Sequence, residues 1–493
     1  MNKKKKSLKL NYIFNLINQI LAILLPLVLA PYISRVLQPE GVGKYSFVNS
    51  IITYFTLFAS LGFGFYAQRE IAKYQEDKEK QAIVFWEIFI ARCFSVALSL
   101  VLNLFLIVIG VYGNNALFML ILSINILSIV FDISYFFQGN EEFGRIVIRN
   151  IVVKLLMTIS IFLLVKDKGD LWLYILLHSL AIFISNISLW PTLFKVIPKA
   201  QLSELKPFRH MKQVIILFLP TIATSIYTVL DKTLIGVITG SDAQNGFYEQ
   251  AEKIVKCALT LITCLDLVMI PRNSNEFQKG NIEGVKNNIY KAFHFVWLLG
   301  IPIALGLSVV ASHFLPWYLG SSFNSSKILL EILSFLILII GCSSILGTNY
   351  LIPTKQDKKY TAAILTGAGL NLVLNIILIY IFGAVGAAIS TITAEFTITI
   401  VMFLMVRKEL SYKQIFKTIY KPAIAGLIMF IALIILKTYL TPSILSTLIL
   451  IAVGVIIYFI LILILRDGLV KDLVIDIKKK IKNKFSSHTK QEE

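Results

Sequence analysis

Long apolar runs recur from one end of this chain to the other, and they determine the class of fold. Each run holds roughly 20 residues with few charges, which is enough for a helix to cross the hydrocarbon core of a bilayer. Lipid offers no hydrogen bonds to an open strand edge, so the chain is predicted to be an all-α polytopic membrane protein. About 14 transmembrane helices are predicted, at 12–36, 45–67, 82–110, 116–137, 146–166, 171–194, 214–239, 247–270, 288–312, 327–352, 359–381, 383–406, 419–438 and 441–465.

Composition and charge agree with a membrane protein. Of the 493 residues 57% are hydrophobic and 15% are charged, whereas soluble domains carry about 25% charged residues. The net charge is +19, and most of the 47 lysines and arginines fall in the tails and in alternate loops. This bias places both termini in the cytoplasm and favours a bacterial inner (plasma) membrane. The basic loops then face anionic membrane lipids, and no nucleic-acid partner is expected because no separate basic domain exists.

A weak internal repeat divides the chain. The loop after the first span contains Gly43, Tyr45 and Ile51, and the loop after the seventh contains Gly246, Tyr248 and Ile254 at the same spacing. Six spans separate the two copies, an even number, so two parallel six-helix lobes are predicted with a substrate site between them. The predicted domains are an N-terminal lobe with a cytoplasmic linker (1–212), a C-terminal lobe (213–410), two further helices (411–465) and a basic tail (466–493).

The tail itself has a helical pattern. Apolar residues recur every fourth position among lysines, at Leu469, Leu473, Ile477, Ile481 and Phe485. This spacing predicts an amphipathic helix at the cytoplasmic membrane surface. A docking role for the same helix is the alternative.

Ionisable residues inside the spans are the candidates for function, because burying them in lipid costs several kcal/mol unless they are paired or hydrated. One group lies in the inner half of spans three to five: Glu87, Arg92, Asp132, Arg149 and Lys154. Arginine suits a phosphate because its planar fork matches phosphate oxygens. We therefore interpret this group as the wall of a substrate cavity that anchors an anionic head group such as a pyrophosphate. Side chains that merely reach the membrane edge are the alternative, above all for Arg149.

A second group lies in the outer half of spans seven and eight. Its members are Asp231, Lys232, Glu249, Glu252, Lys253 and Lys256. Asp231 and Lys232 are adjacent and point about 100° apart, so each needs its own partner, and span eight offers both signs. Two interpretations are open. The group is either a static network that joins spans seven and eight, or a cavity wall to which Lys232, Lys253 and Lys256 add positive charge and in which Asp231 holds a cation or proton.

Motifs of enzymes are absent from the sequence. No G-x-x-x-x-G-K-[ST], G-x-S-x-G or H-E-x-x-H pattern occurs, and the histidines and cysteines show no metal-ligand spacing. We predict no catalytic residue and no structural metal. A transporter driven by an ion gradient or by its substrate fits better than an enzyme or an ATP-driven pump.

Several segments together resemble one known family. They are VLQPEGVGKYSF (36–47), LDKTLIGVITG (230–240), GFYEQAEKI (246–254), MIPRNSNEFQKGN (269–281) and LNLVLNIILI (370–379) with GAVGAAIS (383–390). Their order, their spacing and the fourteen-span plan resemble Wzx-like oligosaccharide repeat-unit flippases of the multidrug/oligosaccharidyl-lipid/polysaccharide exporter superfamily. The resemblance covers nearly the whole chain.

The resemblance implies both architecture and cargo. It implies two six-helix lobes around a central cationic cavity that opens alternately to each side. The expected cargo is an oligosaccharide on a lipid of the undecaprenyl-pyrophosphate type, moved to the outer leaflet for capsule or O-antigen assembly. A polysaccharide polymerase and a chain-length regulator are the protein partners that it suggests.

The resemblance also suggests a coupling ion, Na⁺ or H⁺, and otherwise no cofactor. Some relatives that flip a lipid-linked cell-wall precursor bind a cation between spans seven, eleven and twelve. Asp231, Asn371, Asn375 and Thr391 lie at comparable places here, and oxygen ligands suit a hard cation. Asn375 stands where a second acid is expected, and hydrogen bonds between helices are the alternative role of Asn371 and Asn375.

Two other functions remain as alternatives. A drug or metabolite exporter of the same superfamily would share the fold and differ in cargo, and the basic residues of the N-terminal half favour an anionic lipid head instead. A membrane-embedded glycan polymerase or ligase is expected to carry arginine or histidine on a long external loop. The predicted outer loops are short and nearly free of lysine and arginine.

Overall fold

The computed structural model describes residues 8–198 and 205–471, with their side chains except at 8–20, 22, 23, 217 and 219–227. Within this part every regular element is a helix. The first half contains α1 (Leu8–Ser60), α2 (Phe63–Lys73), α3 (Lys78–Val108), α4 (Ala116–Phe131), α5 (Ser134–Gly139), α6 (Phe143–Leu164), α7 (Leu171–Ile187), α8 (Trp190–Leu193), α9 (Met211–Thr239) and α10 (Asp242–Thr263).

The second half continues in the same way. It contains α11 (Asp266–Gln278), α12 (Ile282–Tyr318), α13 (Ser326–Leu333), α14 (Leu336–Leu346), α15 (Asp357–Phe382), α16 (Ala384–Val406), α17 (Tyr412–Lys417), α18 (Tyr420–Thr438) and α19 (Ile444–Ile464). A π-helical turn, Gly347–Leu351, follows α14 directly. Such turns are rare and are frequently found at functional sites.

Twelve helical segments of the described part are long and apolar enough to cross a membrane. The first of them, Leu24–Lys73, contains the end of the first predicted span and all of the second. Helix α9 (Met211–Thr239) corresponds to the seventh predicted span. The predicted fold class, an all-α polytopic protein with about 14 transmembrane helices, is therefore confirmed.

Helix α1 bends where the two predicted spans join. Pro39 lacks a backbone N–H and disfavours helical geometry at the residue before it. That residue, Gln38, has φ 59° and ψ 175°, outside the helical region. Its side-chain amide donates to the Arg35 carbonyl at 2.6 Å. The bend turns the part of α1 that follows Pro39 toward α9 and α10, which it contacts through Ser50 and Ser46.

The chain forms two compact units. The first contains the described residues up to Glu249 together with Ile379–Ala384, and the second contains Gln250–Leu378 and the described residues from Val385 onward. Helix α9 therefore belongs to the first compact unit. The predicted lobe boundary at 212/213 does not coincide with this division and stays a prediction. Of the predicted tail, residues 472–493 lie outside the described part.

Each unit has its own apolar core. In the first, Phe85 on α3 is fully buried, with ring centroids 5.6 Å from Phe136 and 5.9 Å from Tyr135. In the second, α12 packs against α18 and α19 through a cluster that includes Met429 and Leu450. The last two helices are thus an integral part of the second unit.

Candidate functional site: charged side chains within the membrane

Asp231 and Lys232, the acid and base within α9, both find partners on α10. The Tyr248 hydroxyl donates to Asp231 Oδ2 at 2.6 Å, and Lys232 Nζ lies 2.5 Å from Glu249 Oε2. Gly240 ends α9 in the left-handed conformation, φ 62°, which glycine adopts without a steric penalty. The chain then reverses into α10, so two adjacent residues that point in different directions meet two adjacent partners.

The part of α1 after the bend completes this outer-half cluster. Ser46 Oγ donates to Glu249 Oε2 at 2.9 Å, so this carboxylate receives both a lysine and a serine. The Thr233 hydroxyl donates to Ser50 Oγ at 2.9 Å and lies 3.1 Å from the Tyr54 hydroxyl. Polar contacts therefore join each pair of the three helices α1, α9 and α10 in this outer-half cluster.

The two copies of the G-x-Y repeat meet at this cluster. A Cβ added to Gly43 would overlap the carbonyl of Asp242, and one added to Gly246 would overlap the carbonyl of Pro39. Each glycine thus lets the backbone of the other copy approach. The weak sequence repeat marks two segments in direct contact.

The remaining basic residues of the outer-half group lie further along α10. Lys256 Nζ is 2.7 Å from Glu252 Oε1, one turn earlier on the same helix. Lys253 lies between them in sequence. Both lysines belong to the second unit, whereas Lys232 belongs to the first. Their assignment to one substrate cavity stays a prediction.

In the inner half, three predicted cavity residues come together where α4 ends. Arg92 on α3 is 4% exposed. Its Nη1 donates to the Asp132 carbonyl at 2.5 Å, and its Nη2 lies 3.7 Å from Asp132 Oδ2. Its guanidinium carbon lies 5.7 Å from the centre of the Tyr135 ring, a cation–π distance. The guanidinium is incompletely satisfied, because the buried Nε has no hydrogen-bond acceptor among the described residues.

Arg149 on α6 joins this group through Ser134. Its Nη2 lies 3.4 Å from Ser134 Oγ, and the Ser134 backbone N–H donates to Asp132 Oδ1 at 3.0 Å. The Arg149 guanidinium also donates to Asn150 Oδ1, from Nη2 at 2.9 Å and from Nε at 3.2 Å. The inner-half site of Arg92, Asp132 and Arg149 therefore presents two arginines around one carboxylate.

Glu87 and Lys154 lie apart from this inner-half site. Glu87 is 1% exposed and accepts from Arg209 Nη2 at 2.5 Å and from the Lys206 backbone N–H at 2.7 Å; its other contact is His210 Nε2 at 2.9 Å. It anchors to α3 the segment that leads into α9. Lys154 is half-buried on α6. It is five residues beyond Arg149, and this spacing turns it about 140° away around the helix.

The residues of the predicted cation site are buried. Asn371 and Asn375 on α15 are both fully buried, and the Asn375 amide donates to Asn371 Oδ1 at 2.9 Å. Thr391 on α16 donates to the Ala387 carbonyl at 2.9 Å. These three belong to the second unit and Asp231 to the first. A cation shared by all four stays a prediction.

Sequence reasoning missed an acid at the break between α10 and α11. Asp266 accepts from Ser344 Oγ at 2.7 Å and from Asn349 Nδ2 at 2.6 Å. Asn349 is in the π-helical turn, and its carbonyl accepts from Asn273 at 2.7 Å. The sequence does contain a signal for this residue, because Asp266 is a single acid inside the apolar stretch CLDLVMI. His210 was also missed, because a lone histidine in a loop carries no pattern.

Comparisons with known proteins match this chain to membrane transporters and flippases. The “Putative O-antigen transporter” of Escherichia coli strain K12 is 26% identical over 416 residues, which are 83% of this chain and 99% of that protein. The structure of the lipid II flippase MurJ in an inward closed conformation matches with a TM-score of 0.69 at 17% identity, over 94% of this chain and 99% of that chain.

A multidrug resistance MATE family transporter of the MOP superfamily has the same fold. Its inward-facing structure matches with a TM-score of 0.61 at 14% identity, over 79% of this chain and 94% of that one. A family model described as polysaccharide biosynthesis protein matches residues 8–277. The resemblance to Wzx-like members of the MOP superfamily is confirmed by the family match and by the fold together. Because the matched residues are more than half of the chain, this multi-pass membrane protein belongs to the polysaccharide biosynthesis protein family.

Proposed function

We propose that the protein is a flippase for lipid-linked oligosaccharides. It would move polyprenyl-pyrophosphate-linked repeat units from the inner to the outer leaflet by alternating access, for surface polysaccharide of the capsule or O-antigen type. It would act as a transporter and not as an enzyme. The similarity to the Escherichia coli transporter along nearly its whole length supports this class of cargo.

The observation that carries the proposal is the incomplete neutralisation of the buried Arg92 guanidinium. A buried arginine inside a membrane is costly, and Asp132 neutralises it only partly, since their closest charged atoms are 3.7 Å apart and the Arg92 Nε has no described acceptor. A diphosphate would supply the missing acceptors in the geometry that a guanidinium prefers. In this proposal the lobes rearrange so that Arg92 contacts the diphosphate, while the sugars follow through the cavity and the lipid tail stays in the bilayer.

The proposal extends to coupling and partners. Na⁺ or H⁺ would drive the cycle by binding at Asp231, which would release the bond from Tyr248. Asn371, Asn375 and Thr391 would supply neutral oxygen ligands. A polymerase and a chain-length regulator would use the translocated repeat units on the outer face, and we place the protein in the bacterial cell membrane with both termini in the cytoplasm.

The test is a translocation assay in proteoliposomes loaded with a fluorescent polyprenyl-pyrophosphate oligosaccharide. Wild type is compared with Arg92→Gln, Arg92→Lys and Asp231→Asn, with and without a Na⁺ or H⁺ gradient. Lys80→Gln, which removes an exposed lysine in the first turn of α3, is the matched control. We expect Arg92→Gln to lose about tenfold or more of the rate, as removal of one charge-assisted phosphate contact does. Arg92→Lys keeps the charge and loses the fork, so its rate falls between the two.

Each variant separates one part of the proposal. If Asp231→Asn loses only the dependence on the gradient, the coupling assignment holds. If Arg92→Gln flips the lipid at the wild-type rate while remaining folded, Arg92 does not contact the diphosphate. If wild type moves no lipid-linked sugar, the flippase assignment itself is wrong.

An exporter of drugs or metabolites is the second candidate function. The shared fold with the MATE family transporter favours it. The same proteoliposomes distinguish the two when they are tested with a cationic dye in place of the lipid. Efflux of the dye with no movement of the lipid would assign the protein to the exporter class.

A further inference from the structure

A basic cavity lies on the first unit, between the start of α6 and the segment that ends α7 and contains α8. Its volume is about 680 Å³. Three cationic side chains line it, Arg145 and Arg149 from α6 and Lys195 from the segment after α8. The distribution of lysine and arginine predicts that this end of the unit faces the cytoplasm.

The positive charge of this basic cavity is only partly neutralised. Arg145 Nε lies 3.0 Å from Glu142 Oε2, so Arg145 is paired. Arg149 donates to the neutral groups Asn150 and Ser134, and its buried Nη1 has no hydrogen-bond partner in the part of the chain that the structure describes. The acid that acts on Arg149, Asp132, is shared with Arg92. Lys195 is exposed and has no acidic partner among the described residues.

An apolar stripe on α6 begins inside the basic cavity and continues away from it. Ile148 and Val152 line the cavity and are 55% and 49% exposed. Leu156, Ile159 and Leu163 continue the same face and are also exposed. Their spacing of three and four residues keeps them on one side of the helix. Exposed apolar residues on a membrane-spanning helix favour contact with lipid chains.

The basic cavity and the apolar stripe that continues from it match the two parts of a bilayer lipid, an anionic head group and apolar chains. We propose that the basic cavity binds the phosphate of an anionic phospholipid from the cytoplasmic leaflet, with its chains along the apolar stripe of α6. The Arg149 guanidinium and Lys195 Nζ would bind the phosphate oxygens. A free phosphate would make no contact with the apolar stripe, whereas the chains of a phospholipid would cover it. The proposal does not depend on the identity of the transported cargo.

The experiment measures lipid retention by native mass spectrometry of the full-length protein. Wild type, Lys195→Gln and Arg149→Gln/Lys195→Gln are titrated with phosphatidylglycerol and, separately, phosphatidylcholine. Lys73→Gln/Lys80→Gln is the matched control, because it removes two exposed lysines that do not line the basic cavity. We expect the double cavity variant to retain phosphatidylglycerol about tenfold more weakly, and the control to behave as wild type.

Each outcome decides the question. Lys195→Gln leaves the described hydrogen bonds of Arg149 in place, so it reports on the site even if the double variant unfolds; we expect it to weaken retention several-fold. Equal retention of phosphatidylglycerol by wild type and Lys195→Gln overturns the proposal. So does displacement of the lipid by millimolar inorganic phosphate, which would make the site a plain anion site. Preferential displacement by a polyprenyl pyrophosphate would reassign it to the cargo.

Discussion

At the scale of single residues, charges in this membrane protein are held by specific neighbours. Lys232 lies 2.5 Å from Glu249, and both side chains are mostly buried, at 17% and 16% exposure. Dehydrating an ammonium and a carboxylate is costly, and their mutual attraction repays it only while both are present. Removing one partner therefore deprives the other of this counter-charge in a site with little water.

This predicts an asymmetric response to mutation. Glu249→Gln is expected to lower the free energy of unfolding by about 2 kcal/mol or more, because the Lys232 ammonium loses the negative charge that lies 2.5 Å from it. The double variant Lys232→Met/Glu249→Leu is expected to recover most of that loss. Thermal unfolding in detergent, followed by tryptophan fluorescence, measures both.

Lys80→Met provides the comparison for this pair. It breaks the exposed pair with Asp77, at 3.0 Å, and is expected to leave the Tm nearly unchanged because water and salt screen exposed pairs. A double variant as unstable as the sum of its single variants would show that Lys232 and Glu249 do not act as a pair.

How far single residues could be predicted depends on whether their partners follow from helix geometry. The direction of Asp231 and Lys232 follows from the helical turn, and so does their need for partners on the next span. The identity of Tyr248 as the Asp231 partner does not, since it depends on how Gly240 turns the chain. Glu87 was predicted to line a cavity, but its contacts with Arg209 and His210 depend on a loop about 120 residues away in sequence, which has no periodic signal.

At the scale of helices, the apolar runs predict where spans lie but not where they break. The fourth predicted span contains a break at Asp132, between α4 and α5, and the eighth contains one before Asp266, between α10 and α11. Both breaks are stabilised by tertiary hydrogen bonds, from Arg92 in the first case and Ser344 in the second. Hydropathy averages over such breaks, so sequence reasoning could not find them.

The contact between the two repeat copies gives a prediction for α1 and α10. Gly43→Ala is expected to lower the free energy of unfolding by about 2–3 kcal/mol, because the new methyl group overlaps backbone that cannot move aside easily. Gly64→Ala is the control, since a Cβ there meets nothing within 4 Å. Chemical or thermal unfolding of both variants decides the matter, and equal stability would show that the close approach is not required.

A second prediction concerns the end of α16. Glu409 accepts from Tyr350 and Gln356 at 2.8 Å and from Lys359 at 2.6 Å. Burial alone would raise the pKa of the Glu409 carboxyl, but the hydrogen bonds from Lys359, Gln356 and Tyr350 hold this pKa below its usual value. A carboxyl whose pKa is lower in the folded state stabilises the protein above its unfolded pKa, about pH 4.

That stabilisation is lost as the pH falls through the folded pKa. We therefore expect wild type to have a higher Tm than Glu409→Gln near neutral pH, and the two Tm values to converge below about pH 4. Differential scanning fluorimetry across a pH series measures this. A Tm difference that grows on acidification would contradict the assignment.

At the scale of the whole molecule, the spans and the charge distribution together predict a topology that can be tested. An even number of spans with basic inner loops predicts that Ser321 lies outside and Lys279 inside. Both residues are exposed, Ser321 in the turn after α12 and Lys279 after α11. The fold class could be predicted from sequence because hydropathy indicates which segments are stable in lipid. The boundaries of the compact units depend on side-chain packing, which hydropathy does not encode.

We expect a membrane-impermeant maleimide to label Ser321→Cys in intact cells. Lys279→Cys should react only after permeabilisation. The background is a variant in which Cys93, Cys257, Cys264 and Cys342 are replaced by alanine. Labelling of Lys279→Cys in intact cells would reverse the assigned orientation.

The bend in α1 has a thermodynamic consequence. The backbone of Gln38, at φ 59° and ψ 175°, occupies a region that is essentially restricted to glycine and costs about 1–3 kcal/mol for other residues. Gln38→Gly would relieve this strain and lose the bond to Arg35, so a net gain of about 1 kcal/mol or less is expected, measured as a higher Tm. The junction of the two spans therefore contains a strained backbone conformation. Replacing this one residue by glycine is expected to give a protein that stays folded longer in detergent.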